Sequence, residues 1–176
     1  MELHQYQKQI SESAVKNLIE FKCCYLAMEC RTGKTITALE TARKYGATSV
    51  LFLSKIKAIP SIKSDYKALN PSYSIEAANY ESAHKLTGCY DFVILDEAHC
   101  LGAYPKPSKR TEQVKRHCQG LPVLYLSGTP TPESYSQIFY QLWTCDFSPF
   151  REYPNFYKWG ERLCKSNHKT SERLYD

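Results

Sequence analysis

Three consecutive residues, Gly33, Lys34 and Thr35, have the types and the order that phosphate binding requires. They end the segment MECRTGKT over residues 28–35, which follows an apolar run and opens a helical pattern. At a turn from strand to helix, backbone N–H groups and the positive end of the helix dipole favour a bound anion. Lys34 can reach the β- and γ-phosphates of a nucleotide, and the Thr35 hydroxyl can bind Mg²⁺. The usual pattern has a glycine where this chain has Met28, but any residue supplies the backbone amides that bind phosphate.

Two adjacent carboxylates, Asp96 and Glu97, supply the acidic groups that such a site needs. They follow the apolar residues FVIL and begin the tetrapeptide DEAH, within residues 92–99. Ligands of open α/β folds bind at the carboxyl ends of parallel strands, which is where these acids are expected. The first acid can hold Mg²⁺ directly or through water, and the second can orient and deprotonate an attacking water. Either motif alone is compatible with a chance GKT or with solvated acids at a strand end, whereas together they favour a magnesium–nucleotide site.

The elements that must position these residues are short apolar strands that alternate with helices. Strands are predicted at residues 23–28, 49–54, 91–96 and 122–127, with a weaker one at 73–78. Their apolar sequences are typical of strands buried on both faces of a parallel sheet. Helices are predicted at residues 5–21, 34–45, 132–143 and 154–164. This alternation predicts an α/β fold, with a parallel β-sheet flanked by helices.

The predicted helices carry their apolar residues on one face. In the first helix that face holds Tyr6, Ile10, Ala14, Leu18 and Phe21. In the third helix Thr131 is the expected cap, and Pro132 and Glu133 suit the first turn. Its inner face is then expected to hold Tyr135, Ile138, Phe139, Leu142 and Trp143.

Length and composition limit the classes to which the chain can belong. Its 176 residues suit one domain or slightly more, and a hydrophobic share of 43% is enough for a packed core. A net charge of +5 permits nucleic-acid binding without arguing for it. No apolar run approaches the ~20 residues of a membrane helix, and the N-terminus lacks the apolar core of a signal peptide, so a cytoplasmic protein with no membrane partner is expected. The eight cysteines form no CxxC pair, which favours reduced thiols over a zinc site.

Six motifs in a fixed order carry a resemblance to a known family. They are LHQYQ (3–7), MECRTGKT (28–35), VLFLSKIKAI (50–59), NYES (79–82), DEAH (96–99) and LSGTPTPES (126–134). The chain resembles the first motor domain of superfamily 2 helicases and translocases, the DEAH/DExx group, and most resembles its Snf-type branch of double-stranded DNA translocases. The resemblance implies a P-loop NTPase lobe of the RecA-like kind over residues 1–150. Residues 151–176 would be an extension or the start of a linker to a second lobe.

The resemblance also implies roles for residues around the nucleotide. Gln7 would read the adenine edge of ATP, with Tyr6 packed on the base. The phosphate loop would hold the nucleotide and Mg²⁺, with Thr35 and Asp96 as the metal ligands. The loop residues expected to bind the cofactor are Arg31, Thr32, Gly33, Lys34 and Thr35. Arg31 could contact a phosphate or a carboxylate, or could point to solvent.

Other positions are implied to couple the nucleotide to nucleic acid. His99 would be a coupling residue, with Ser127 and Thr129 across from it. Ser54, Lys55 and Lys57 could contact the phosphates of nucleic acid, which require hydroxyls, amides and cations rather than a base-reading pattern. A second basic cluster is either another such contact or a solvated helix face; it comprises Lys106, Lys109, Arg110, Lys115 and Arg116.

The expected function is therefore that of the ATP-binding lobe of a nucleic-acid motor, with double-stranded DNA as the favoured partner. In other phosphoryl-transfer enzymes an arginine supplied from outside the ATP-binding domain raises the rate by roughly 10³–10⁵. A single lobe without that arginine should hydrolyse ATP slowly, if at all. One alternative is a regulatory module that binds nucleotide or nucleic acid without turnover. Another is a small P-loop kinase, which the absence of a convincing arginine-rich lid disfavours.

Overall fold

The structure is a computed structural model and describes residues 3–29 and 31–162. The helices that end before residue 150 are α1 (Gln5–Phe21), α2 (Lys34–Tyr45), α3 (Ile59–Leu69), α4 (Lys109–Cys118) and α5 (Gln137–Trp143). Five strands alternate with them: β1 (Cys23–Ala27), β2 (Ser49–Ser54), β3 (Ser74–Asn79), β4 (Phe92–Leu95) and β5 (Val123–Ser127). Three 3₁₀ helices lie in the connections, at Ile56–Ala58, Tyr80–Lys85 and Ala98–Leu101.

The strands form one parallel sheet in the order β1-β5-β4-β2-β3. Each apolar run predicted from sequence is a strand, with ends that differ by no more than one residue. Alternate residues of the central strands lie in two separate cores, one on each face of the sheet. The first core packs against α1, α2 and α3, and the second packs against α4, α5 and the 3₁₀ helix at Tyr80–Lys85. The predicted α/β fold, a parallel sheet flanked by helices, is therefore confirmed.

Two details of the predicted helices were wrong. The buried face of α1 holds Gln7, Ser11, Ala14 and Leu18, whereas Tyr6 and Phe21 are exposed. The helix predicted at residues 132–143 begins only at Gln137, and Tyr135 is 84% exposed. The preceding segment is held by glutamine side chains instead of helical backbone bonds, because Gln137 Oε1 accepts the Glu133 N–H and Gln141 Nε2 donates to the Pro130 carbonyl.

The apolar pattern did not identify α3 and α4. Ile59, Ile62, Tyr66 and Leu69 of α3 do face the core, but only Ile62 is fully buried. Half of the residues of α4 are charged. Near the end of the described chain, residues 156–162 are helical, within the helix predicted at 154–164. Trp159 of this segment is buried against Phe139 and Phe150. Residues 163 and 164 of the predicted helix lie outside the described residues.

The cysteines of the described residues are free thiols. Cys24, Cys118 and Cys145 are buried, Cys89 is exposed, and Cys23 and Cys100 are partly buried. Cys30 and Cys164 lie outside the described part. Over residues 3–29 and 31–162, no group of three or more His, Cys, Asp or Glu side chains is arranged to hold a metal ion. None of the helices in these ranges has the length and apolarity needed to cross a membrane.

Candidate nucleotide site

The segment between β1 and α2 is the predicted phosphate loop. Gly33 adopts the left-handed conformation, with φ at +75°, and caps α2, which begins at Lys34. Arg31 is exposed and is also left-handed, with φ at +65°. The Lys34 ammonium and the Thr32 hydroxyl both donate to the Glu29 carbonyl, at 3.2 and 2.7 Å. The turn therefore brings Lys34 and Thr35 to the positive end of the α2 dipole, as the sequence pattern predicts.

The start of α1 contacts this loop directly. The Tyr6 hydroxyl donates to the Thr32 carbonyl at 2.9 Å, and Gln7 Nε2 donates to the same carbonyl at 3.4 Å. Gln7 is 5% exposed, and its Oε1 accepts the His4 N–H at 3.0 Å. A Cβ on Gly33 would lie 2.3 Å from Gln7 Nε2, so only glycine fits there. Gln7 therefore lies where its amide fixes the loop, and the half-exposed ring of Tyr6 stacks against His4.

The two carboxylates follow β4, whose carboxyl end lies two strands from the end of β1. Because neighbouring strands are about 4.8 Å apart, the loop and the acids face each other across roughly 10 Å. Asp96 is buried and accepts a 2.7 Å hydrogen bond from the Ser54 hydroxyl. Burial raises the pKa of Asp96, while this hydrogen bond and the nearby charge of Lys34 act in the opposite direction. The sheet thus brings the Lys34 ammonium and the Asp96 carboxylate to one rim.

A chain of close polar contacts connects the second acid to the loop after β5. Glu97 is left-handed, with φ at +50°, and its Oε2 lies 3.3 Å from His99 Nδ1. The same nitrogen lies 3.1 Å from the Ser127 hydroxyl oxygen, which also accepts the Thr129 N–H at 3.1 Å. The Ser127 carbonyl accepts the Met28 N–H at 3.1 Å, which ties β5 to the phosphate loop. Of the three residues predicted to couple, Ser127 thus contacts both of the others, His99 and Thr129.

Burial shifts the pKa of Asp96 and the pKa of His99 in opposite directions. Burial lowers the pKa of His99, and the positive charge of Lys55 lowers it further. The negative charges of Glu97 and Asp96 raise the pKa of His99 but only partly offset the effect of burial. His99 is therefore mainly neutral near pH 7, and its Nδ1 lies between the Glu97 carboxylate and the Ser127 hydroxyl.

The residues predicted to touch nucleic acid fall in different environments. Ser54 is fully buried against Asp96, so it belongs to the nucleotide site and is not available at the surface. Lys55 and Lys57 are exposed beside the carboxyl end of β2. In the second basic cluster, Arg110 is paired with Glu81 at 2.7 Å, and Lys115 donates to the Trp143 carbonyl at 2.7 Å. Lys106, Lys109 and Arg116 are exposed.

The donor set of the rim fits ATP with Mg²⁺. A hydroxyl at the helix start and a carboxylate across from it are the hard oxygen ligands that Mg²⁺ prefers, and it usually completes its shell with water and substrate phosphates. The Asp96 side chain has one hydrogen bond to the described residues, from Ser54 to Oδ2, so Oδ1 is available to a further ligand. Thr35 at the start of α2 would supply the hydroxyl ligand.

A family comparison decides what kind of domain carries this site. The model of the SNF2-related domain matches residues 3–176. The chain belongs to the SNF2-related domain family. No curated protein sequence matches the chain.

Two solved structures are similar to this SNF2-related domain. One is the ATP-dependent Type ISP restriction-modification enzyme LlaBIII bound to DNA, with a TM-score of 0.55 and 19% identity over 72% of this chain. The other is a nuclease-deletion mutant of the Type ISP enzyme LlaGI in complex with a DNA substrate mimic, with a TM-score of 0.52 and 18% identity over 77% of this chain. This chain covers 13% and 18% of those two chains, and at these identities the likeness shows the fold alone.

The SNF2-related domain also contains polar residues that sequence reasoning missed. The Tyr25 hydroxyl donates to Gln141 Oε1 at 2.7 Å, across 116 positions of sequence. Gln141 is fully buried and donates to the Pro130 carbonyl at 2.7 Å. No motif marks either residue, since a tyrosine in an apolar strand and a glutamine in a short helix are ordinary on their own.

A separate cavity of about 740 Å³ opens near the start of β1. It is lined by the end of α1, by residues 22–25 and by residues 147–149 and 151–152. Its lining includes none of the residues of the phosphate loop or the acidic motif. The size of a cavity therefore does not identify the candidate nucleotide site of this domain.

Proposed function

We propose that this SNF2-related domain is the ATP-binding lobe of a nucleic-acid-dependent ATPase, a helicase or translocase. Joined to a second lobe, it hydrolyses ATP to move on or remodel DNA. The observation that carries the proposal is that Lys34, after β1, and Asp96, after β4, lie beyond the carboxyl ends of strands in one parallel sheet, where the charge of Lys34 partly opposes the rise that burial causes in the pKa of Asp96. This is the arrangement that a magnesium-bound triphosphate needs.

In this proposal each residue of the rim has a defined task. Lys34 and the N–H groups at the start of α2 bind the phosphates, while Thr35 and Asp96 hold the metal. Gln7 supports the loop beside Gly33 through the hydrogen bond from its Nε2 to the Thr32 carbonyl. Bound ATP with Mg²⁺ supplies the phosphoryl group and the metal charge. Glu97 accepts the proton of the attacking water, and a second lobe provides the arginine that stabilises the charge on the phosphoryl group.

DNA is the favoured partner for two reasons. Two exposed lysines, Lys55 and Lys57, lie at the same end of the sheet as the acidic motif, where they can bind backbone phosphates without reading bases. The two similar structures are of DNA-bound or DNA-mimic-bound enzymes, which supports the same class of partner for this chain. The Snf-type resemblance favours duplex DNA over a single strand.

An ATPase assay on the natural protein that contains this chain tests the proposal. The rate is measured alone and with double-stranded DNA, single-stranded DNA or RNA, and stimulation greatest with double-stranded DNA is expected. Lys34→Ala should abolish both ATP binding and turnover, whereas Glu97→Gln should abolish turnover and retain binding. Lys67→Ala and Glu112→Gln, at exposed sites on α3 and α4, are the matched controls and should keep the wild-type rate.

The outcome that contradicts the proposal is equally specific. If none of the three nucleic acids raises the rate, the chain does not belong to a nucleic-acid motor. Nucleotide binding without turnover in the wild-type protein would identify a regulatory module instead. Stimulation that survives Glu97→Gln would remove Glu97 from its proposed task.

A further inference from the structure

A buried polar network joins β1 to the loop that follows β5. Gln141 of α5 is fully buried, and its side chain makes three hydrogen bonds. Its Oε1 accepts the Tyr25 hydroxyl at 2.7 Å, and its Nε2 donates to the Pro130 carbonyl at 2.7 Å and to the Gln137 carbonyl at 3.0 Å. This orientation of the amide is favoured because a flip would set its oxygen against the Pro130 and Gln137 carbonyls, which only accept.

The same network reaches the acidic motif. A Cβ on Gly102 would lie 2.7 Å from the Gln137 carbonyl and 3.1 Å from Gln141 Nε2, so the segment after DEAH packs directly on α5. One helical turn before Gln141, the Gln137 side chain holds Glu133 through both its oxygen and its nitrogen. Two glutamines on one face of α5 thus fasten the loop of residues 128–133 at two points.

Tyr25 is placed to connect this loop with the nucleotide. It lies in β1, three residues before the loop segment that begins at Met28, and its ring stacks on Tyr125 at 5.6 Å. Burial raises the pKa of Tyr25, and the charge of Glu97 raises it further, while the Ser127 hydroxyl opposes them. The Tyr25 hydroxyl therefore stays protonated and able to donate at physiological pH, close to both Glu97 and Ser127.

We propose that Tyr25 and Gln141 are positioning residues that hold the 128–133 loop against the acidic motif, so that β1, the DEAH turn and this loop move as one unit when nucleotide binds. The inference rests on the proposed function and assigns two residues that the motifs do not include. Neither side chain touches substrate. Their effect on the reaction passes through the Pro130 carbonyl and through the Ser127–His99 contact beside it.

The test compares two tyrosine hydroxyls in the natural protein that contains this chain. Tyr25→Phe removes the hydroxyl that donates to Gln141, and Tyr125→Phe removes a buried hydroxyl one strand away that contacts Thr144 at 2.9 Å. Tyr25→Phe should lower the ratio of DNA-stimulated to unstimulated kcat by about two- to thirty-fold. The KM for ATP should stay unchanged, because the phosphate-binding groups are intact. Tyr125→Phe should keep the ratio at the wild-type value even where it lowers the Tm.

A double-mutant cycle separates a shared role from a merely structural one. Gln141→Met preserves the side-chain volume and removes every side-chain hydrogen bond, so it should lower the ratio at least as much as Tyr25→Phe. The double variant should be no worse than Gln141→Met alone, because both changes break one connection. If Tyr25→Phe does not give folded protein, Gln141→Met is compared with Tyr125→Phe by the same criterion.

The results that overturn the inference differ from those that overturn the proposed function. A wild-type protein whose ATPase ignores nucleic acid refutes the proposed function, and the inference falls with it. A wild-type protein that is stimulated, with a ratio that Tyr25→Phe and Tyr125→Phe leave equal, refutes the inference alone. Additive losses in the double variant also refute it, since the two residues would then act separately.

Discussion

The Ser54 hydroxyl donates to the Asp96 carboxylate at 2.7 Å, and both side chains are buried. Ser54 ends β2 and Asp96 follows β4, and these strands are neighbours in the sheet. The hydrogen bond therefore fixes the carboxylate from the side, through a residue that the motif resemblance had suggested for nucleic-acid contact. It also favours the charged form of Asp96, against the effect of burial.

Replacing Ser54 should weaken the metal site without touching a ligand. Ser54→Ala leaves the buried carboxylate without its donor, and hydrogen bonds to charged groups contribute about 1.5–3 kcal/mol. The free energy of unfolding should fall by about that amount in a denaturant titration, and the Mg²⁺ concentration needed for half-maximal ATPase should rise. Ser61→Ala, at an exposed position of α3, is the control and should change neither. An unchanged Mg²⁺ requirement in Ser54→Ala would show that the hydroxyl does not orient Asp96.

Gly33 should be far more sensitive to substitution than Gly46. Gly33→Ala forces an alanine to φ +75° and sets its Cβ against Gln7 Nε2, whereas Gly46→Ala at φ +86° meets nothing within 4 Å. Both variants have the left-handed strain of about 1–2 kcal/mol, but only the first also displaces the phosphate loop. Nucleotide binding, followed by fluorescence titration, should be lost in Gly33→Ala and retained in Gly46→Ala.

Gln7→Ala tests the cause of that loss. In the double variant Gln7→Ala/Gly33→Ala the steric conflict is gone and only the backbone strain remains, so part of the nucleotide affinity should return relative to Gly33→Ala. A double variant that binds no better than Gly33→Ala would mean that the Gln7 contact is not what excludes a side chain at position 33.

Lys55 and Lys57 should act through charge alone. If each contacts one phosphate, Lys55→Ala and Lys57→Ala should each reduce the slope of log K against log salt by about 1, with little dependence on DNA sequence. Lys16→Ala, exposed on α1, should leave the slope unchanged. Equal slopes for all three variants would place the nucleic-acid surface elsewhere, and the exposed residues Lys106, Lys109 and Arg116 would be examined next.

His99 should make the domain less stable in mild acid. Its pKa in the folded state is below its usual value of about 6.5, so the unfolded chain takes up the proton first as the pH falls. Stability is therefore unaffected by His99 at pH 8 and is lost as the pH falls below about 6.5. Lys55 and burial favour this loss, while Glu97 and Asp96 oppose it. The drop in Tm from pH 8 to pH 5.5 should be smaller in His99→Asn than in wild type, and an equal or larger drop would contradict the assignment.

The sequence predicted the sheet well because its strands are buried on both faces. Runs such as SVLFLS at 49–54 contain little but apolar residues, so the sequence identifies them as buried strands and marks where each strand begins and ends. The predicted start of α5 was wrong, although Thr131, Pro132 and Glu133 have the composition of a helix start. The side chains of Gln137 and Gln141 hold this segment in another conformation. The residue types of a segment do not show whether a side chain further along the chain will hydrogen-bond to it.

The sequence could predict where a candidate-site residue lies when that residue directly follows a strand. Lys34, Asp96 and Ser127 each lie at or just beyond a carboxyl end of the same parallel sheet, so their convergence follows from the fold class. Ser54 was misassigned because its position at a strand end does not say toward which neighbour its side chain points. The Tyr25–Gln141 bond could not be foreseen, because it joins elements 116 positions apart that share no motif.

The order of the strands also has a consequence for the time at which the domain is assembled during translation. Within residues 3–29 and 31–162, β1 pairs only with β5, and Ala27 is opposite Ser127, so the ribosome must add 100 more residues (27 to 127) before β1 has this neighbour. At roughly 5–20 residues per second this takes about 5–20 s. The strand that leads into the phosphate loop is therefore synthesised first of the five and is the last to be paired.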